Sequence, residues 1–158
     1  MYLVRSRSSG RRRRSKRWTR ASLPRQGVDM LAIDTNLIVR YLTGDHPKQS
    51  PKARALIDSV DVFVCTTVLL ETEWVLRGVY GLTPVEVARA LGAFAGLASV
   101  TLEDSALTAK ALDWTVRGMD FADALHLAKA EGCDAMVSFD RRFTRAATKL
   151  SNIEVRTL

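Results

Sequence analysis

Residues 31–42 read LAIDTNLIVRYL. A short apolar run, Leu31-Ala32-Ile33, passes directly into Asp34, Thr35 and Asn36. Apolar residues then recur at helical spacing through Leu37, Ile38, Val39, Tyr41 and Leu42. This is the pattern of a buried strand turning into a helix, with three polar side chains at the junction. A single Asp there serves equally well as a helix N-cap or as a functional carboxylate. The rest of the chain has to decide between them.

From Met30 onward the chain alternates strand-like runs with helical ones. The strand-like runs are MLAI (30–33), VFVC (62–65), SVTL (99–102), AMVSF (135–139) and IEVRTL (153–158). Helical patterns lie at 35–42, 47–60, 66–81, 83–97, 104–119 and 121–132. The fourth of these opens with Thr83 as N-cap, Pro84 at the first helical position and Glu86 completing a capping box. Gly81 and Gly132 read as helix stops. Strands separated by helices predict an α/β layer fold with a mainly parallel central sheet. No internal repeat is visible.

The net charge of +7 is unevenly placed. Residues 1–29 carry ten Arg/Lys against one acid, or +9, whereas residues 30–158 carry fourteen bases against sixteen acids, or −2. The basic segment lacks apolar periodicity and is expected to be a disordered tail. It has no apolar core of a secretory signal. An over-long start, a nucleic-acid-binding arm and a transit peptide all fit its composition, and the expected folded domain is 30–158. No apolar run reaches the roughly 18 residues of a membrane span. Cys65 and Cys133 show no ligand spacing and read as buried free thiols of a cytoplasmic protein.

Functional groups of parallel α/β sheets gather at the carboxyl ends of strands. Asp34 follows the first strand and Asp140 follows the fourth. Glu71 lies early in the helix after the second strand, and Asp123 near the start of the helix before the fourth. Asp120 is the natural cap of that last helix, which leaves Asp123 one turn in among Phe121, Ala122, Ala124 and Leu125. Glu73 has Arg77 four residues on and is assigned to a surface ion pair, with Glu71 facing the cleft. His126 reads as a packed histidine and Asn36 as a support for a carboxylate or a water. Carboxylates gathered in one cleft repel one another unless a cation is present. Hard oxygen ligands without a His/Cys cluster suit Mg²⁺ or Mn²⁺, and such sites handle phosphate esters.

Four separated motifs occur in one order: an apolar run ending in DTN (34–36), the glutamate of VLLETEWVL (68–76), DFADALHLA (120–128) and SFDRRF (138–143). In this order they resemble the PIN domain, and within it the VapC-type toxins of toxin–antitoxin pairs. The resemblance covers nearly all of 30–158. It implies an α/β/α sandwich with a parallel sheet and a Mg²⁺- or Mn²⁺-dependent ribonuclease whose catalytic acids and metal ligands would be Asp34, Glu71, Asp123 and Asp140. Asn36 and Ser138 would support them, and Asp120 would help bind a second metal. Cleavage would leave a 5′-phosphate and a 3′-hydroxyl. A homodimer and a small cognate antitoxin are further implications. Arg141, Arg142 and Arg145 follow the last acid and are either phosphate contacts or a solvated helix face.

Rival readings fit less well. A haloacid-dehalogenase-like phosphatase needs a second acid where Asn36 stands, and a receiver domain needs a strand-end lysine with no counterpart here. A non-catalytic RNA-binding module would have no reason to hold four acids. A PIN nuclease outside any toxin pair remains compatible with these residues.

Overall fold

The computed structural model describes residues 30–158. The expectations for the tail 1–29 lie outside the described residues. All five strand runs form strands: β1 (Leu31–Ala32), β2 (Val62–Val64), β3 (Val100–Leu102), β4 (Met136–Ser138) and β5 (Val155–Thr157). The helices are α1 (Thr35–Thr43), α2 (Gln49–Ile57), α3 (Thr66–Gly78), α4 (Pro84–Ala95), α5 (Ser105–Val116), α6 (Phe121–Lys129) and α7 (Arg141–Leu150).

Every strand pairing is parallel, as the alternation requires, but the ladder is in two pieces. β1, β2 and β3 form one sheet in that order, and β4 pairs with β5 in a second. Each strand spans only two or three residues. Helices therefore supply most of the core instead of one long ladder. Its fully buried side chains include Ile38, Leu69, Leu76, Val87, Leu91, Phe94, Phe121 and Leu127 from helices, against Val62 and Val64 from β2.

Local chemistry explains the helix ends. The Thr83 hydroxyl accepts from the Glu86 N–H at 3.3 Å while the Glu86 carboxylate accepts from the Thr83 N–H at 2.8 Å, the reciprocal pair the sequence announces. Helix α3 stops at Gly78, and the chain turns away at Gly81, whose φ of +69° side-chain-bearing residues rarely adopt. The α6 helix ends at Lys129, three residues before Gly132 at φ +93°.

Helix α7 is the element missing from the helical stretches read off the sequence. Its signal was present: Phe143, Ala146, Ala147 and Leu150 recur at helical spacing, and Phe143 and Ala147 are buried. The cysteines also depart from expectation. Both are free thiols, but Cys133 is exposed and Cys65 only half-buried at the start of α3. Among the described residues no helix is long and apolar enough to cross a membrane.

Candidate active site

Asp34, Asp120 and Asp140 each sit immediately before a helix and cap it. The Asp34 Oδ1 accepts from the Leu37 N–H at 3.0 Å. The Asp140 Oδ1 accepts from the N–H groups of Arg142 at 2.7 Å and Phe143 at 3.1 Å. The Asp120 Oδ1 accepts from the Ala122 N–H at 3.0 Å. Capping and chemistry are therefore not alternatives at Asp34 and Asp140. The cap uses one oxygen, fixes the carboxylate at the strand end and leaves Oδ2 available. The Ser138 hydroxyl accepts from the Asp140 N–H at 3.0 Å and holds the same turn.

Asp120 differs, because its second oxygen is also engaged, accepting from Arg77 at 2.9 Å. Both of its oxygens are thus committed to protein groups, which disfavours the second-metal role that the resemblance suggests.

Asp120, Asp123 and Asp140 line one cavity of about 300 Å³ together with Arg142 and Phe143. Asp123 projects into it from α6, half-buried above the fully buried Phe121. Burial pushes the Asp123 carboxyl above the usual range, and the charges of Asp120 and Asp140 push it further, with His126 opposing. Asp140 is held below the usual carboxylate range by the backbone N–H groups of Phe143 and Arg142, with the nearby charges of Arg142 and Arg145 adding to them. One cavity thus holds an acid whose proton affinity is raised beside one whose affinity is lowered. His126 itself is exposed, not packed.

The other two acids stand on other cavities. Glu71 lines one of about 850 Å³ with Trp74, Arg77 and Asp120, so Asp120 borders both spaces. Asp34 and Asn36 line a third, of about 420 Å³, with Arg40 and Lys52. A direct link joins Glu71 to the DTN turn: the buried Thr35 hydroxyl donates to Glu71 Oε2 at 2.6 Å. The sequence reading missed this role of Thr35. Asn36 is exposed beside Asp34.

Glu73 corrects the surface assignment. It is 5% exposed, although its ion pair with Arg77 forms as expected, at 3.1 Å. Leu69, Thr72, Glu73 and Leu76 make the buried face of α3, so Glu73 lies on the apolar stripe that helical periodicity marks. Burial raises its carboxyl above the usual range despite Arg77. Arg77 in turn is shared between Glu73 and Asp120 and ties α3 to the cap of α6.

Among the described residues no three His, Cys, Asp or Glu side chains come close enough to hold an ion directly. Of the four predicted acids, only Asp123 and Asp140 share a cavity, and the four do not close into a single coordination sphere. The donor types suit a hard divalent cation, because the carboxylates of Asp120, Asp123 and Asp140 share one cavity. Mg²⁺ characteristically takes one or two carboxylates and keeps several waters, so a full protein cage is not required.

A short-stranded parallel α/β fold with capped aspartates at the ends of β1 and β4 defines an acidic-cleft protein of the α/β class. The PIN domain family matches residues 31–149, and the chain belongs to that family. Among solved structures, the crystal structure of Mycobacterium tuberculosis VapC20, a sarcin–ricin loop cleaving toxin, is similar. Identity is 24%, the match covers 74% of this chain and 94% of that one, and the TM-score is 0.38. No curated protein matches.

Proposed function

We propose that this chain is a metal-dependent endoribonuclease, acting as the toxin of a toxin–antitoxin pair. The observation that carries the chemistry is the single cavity lined by Asp120, Asp123 and the backbone-anchored Asp140. The toxin role follows from the resemblance of the DTN, ETE, DFAD and SFD motifs to VapC-type proteins. That role brings with it a small antitoxin partner, a homodimer and a cytoplasmic setting.

Asp123 and Asp140 would hold Mg²⁺ or Mn²⁺, with Asp34 and Glu71 flanking and water completing the shell. When bound, the cation supplies polarisation of the phosphodiester and a more acidic water. The chain's own residues do the positioning. The helix caps fix Asp34 and Asp140, Ser138 braces the turn before α7, and Thr35 fixes one oxygen of Glu71. Asn36 stands beside Asp34 to orient a water or a carboxylate. The water oxygen bonds to phosphorus, the bond to O3′ breaks, and O3′ leaves as a hydroxyl, so the products are a 3′-hydroxyl and a 5′-phosphate.

Product ends test this reading. An RNA carrying a single 2′-deoxynucleotide on the 5′ side of the cut should still be cleaved, because water and not the 2′-hydroxyl attacks. Loss of cutting at that position, with 2′,3′-cyclic phosphate ends on unmodified RNA, would overturn it.

A further inference from the structure

The acidic cavity opens into a basic one. Beside it lies a groove of about 320 Å³ whose charged lining consists of Arg117, Arg142, Arg145 and Lys149, with no acid. The two spaces share Gly118, Arg142 and Ala146, so Arg142 stands at the border between them. The groove is made by two elements. Arg142, Arg145 and Lys149 fall at i, i+3 and i+7 on the outer face of α7, whose opposite face buries Phe143 and Ala147. Arg117 comes from the end of α5.

These cations are available. Arg142, Arg145 and Lys149 are exposed and make no ion pair with the described residues. Arg117 meets only Asp113, at 3.2 Å, in an exposed pair of the kind that contributes little. Unpaired like charges facing one groove repel each other, and a polyanion lying along it relieves that repulsion. Arg141, the first of the arginines following the last acid, does not line the groove, whereas Arg117 and Lys149 do. From Arg142 to Lys149 the helix rises about 10 Å, enough for more than one phosphate.

We propose that the groove of Arg117, Arg142, Arg145 and Lys149 is the backbone track of a single-stranded RNA substrate, leading the scissile phosphate past Arg142 to Asp123 and Asp140. The assignment rests on the ribonuclease reading and adds a direction to it: the strand is gripped on one side of the cut. Phosphate contacts position a strand without reading its sequence, so this track serves any RNA, and sequence choice lies elsewhere.

The test is the salt dependence of binding, measured on the full chain with a labelled short single-stranded RNA in EDTA, so that binding is read separately from cleavage. Each phosphate contact to a single strand contributes about 0.7 to the slope of log K against log salt. The double variant Arg145→Gln/Lys149→Gln should therefore flatten the slope by about 1.4. Residues 1–29 are identical in both proteins, so their ten bases cancel in the comparison. The control Arg89→Gln/Lys110→Gln removes two exposed charges that do not line the groove and should leave the slope unchanged. Circular dichroism on all three proteins verifies the fold. An unchanged slope in the groove variant, or an equal flattening in the control, would overturn the track. If the slope flattens but the wild-type chain cuts no RNA with either metal, the groove grips a single strand and the ribonuclease reading, with the track's role toward a scissile phosphate, fails. If cutting proceeds and the slope does not move, the failure belongs to the track alone.

Discussion

Asp123→Asn should lower RNA cleavage by at least about 100-fold, the usual cost of removing one acid–base or charge-stabilising group from an active site. The same change should raise the melting temperature of the metal-free protein by a few degrees. The second outcome follows from linkage. Burial and the charges of Asp120 and Asp140 raise the Asp123 carboxyl in the folded state. The folded protein therefore binds that proton more tightly than the unfolded chain does. This contribution is fully present below the unfolded pKa and is lost as pH rises through the folded one. Above its raised folded pKa the ionised Asp123 costs stability, and the neutral amide of Asn removes the cost. Added Mg²⁺ or Mn²⁺ should stabilise the wild type by mass action and stabilise the variant less. Thermal melts with and without metal, run beside a cleavage assay, separate a lost ligand from a lost fold. Falling activity together with a falling metal-free melting temperature would count against this account of Asp123.

Phe121→Ala should be the most damaging single core truncation near the site, at about 3–5 kcal/mol. Phe121 is fully buried and sits between Asp120 and Asp123 on the first turn of α6. Helix α6 packs against α5 and α3, so the buried ring ties the turn that carries the acids to the core. A domain of this size has about 5–15 kcal/mol in total, so the variant should lose a large share of its stability. Urea unfolding should show a lower midpoint with an unchanged slope. A loss below about 1 kcal/mol would mean that the cavity collapses freely and that Phe121 does not position the acids.

What the sequence made legible was periodic or local. The five strand runs, the capping box at Thr83 and the ion-pair spacing of Glu73 and Arg77 depend on neighbours within a turn or a strand, and each forms. What escaped was set by contacts far apart in the chain. Arg77 spans to Asp120, 43 residues on, and Thr35 to Glu71, 36 residues on. Neither link leaves a mark in spacing. Glu73 is an instructive miss, because its position on the Leu69–Leu76 stripe was readable, but the Arg77 spacing suggested a solvent-facing pair. The acids were located as cap positions and strand ends, yet their distribution over three separate cavities came only with the fold. The same holds for Arg117, which joins the α7 cations from another helix.

The most direct measurement of the central claim is cleavage of RNA by the purified full chain across a titration of Mg²⁺ or Mn²⁺ against EDTA. The account predicts cutting that rises with the metal, stops with EDTA and returns on readdition, and that is lost in Asp123→Asn and Asp140→Asn proteins that retain their circular dichroism. Cutting that persists undiminished in EDTA, or in both folded variants, would contradict it.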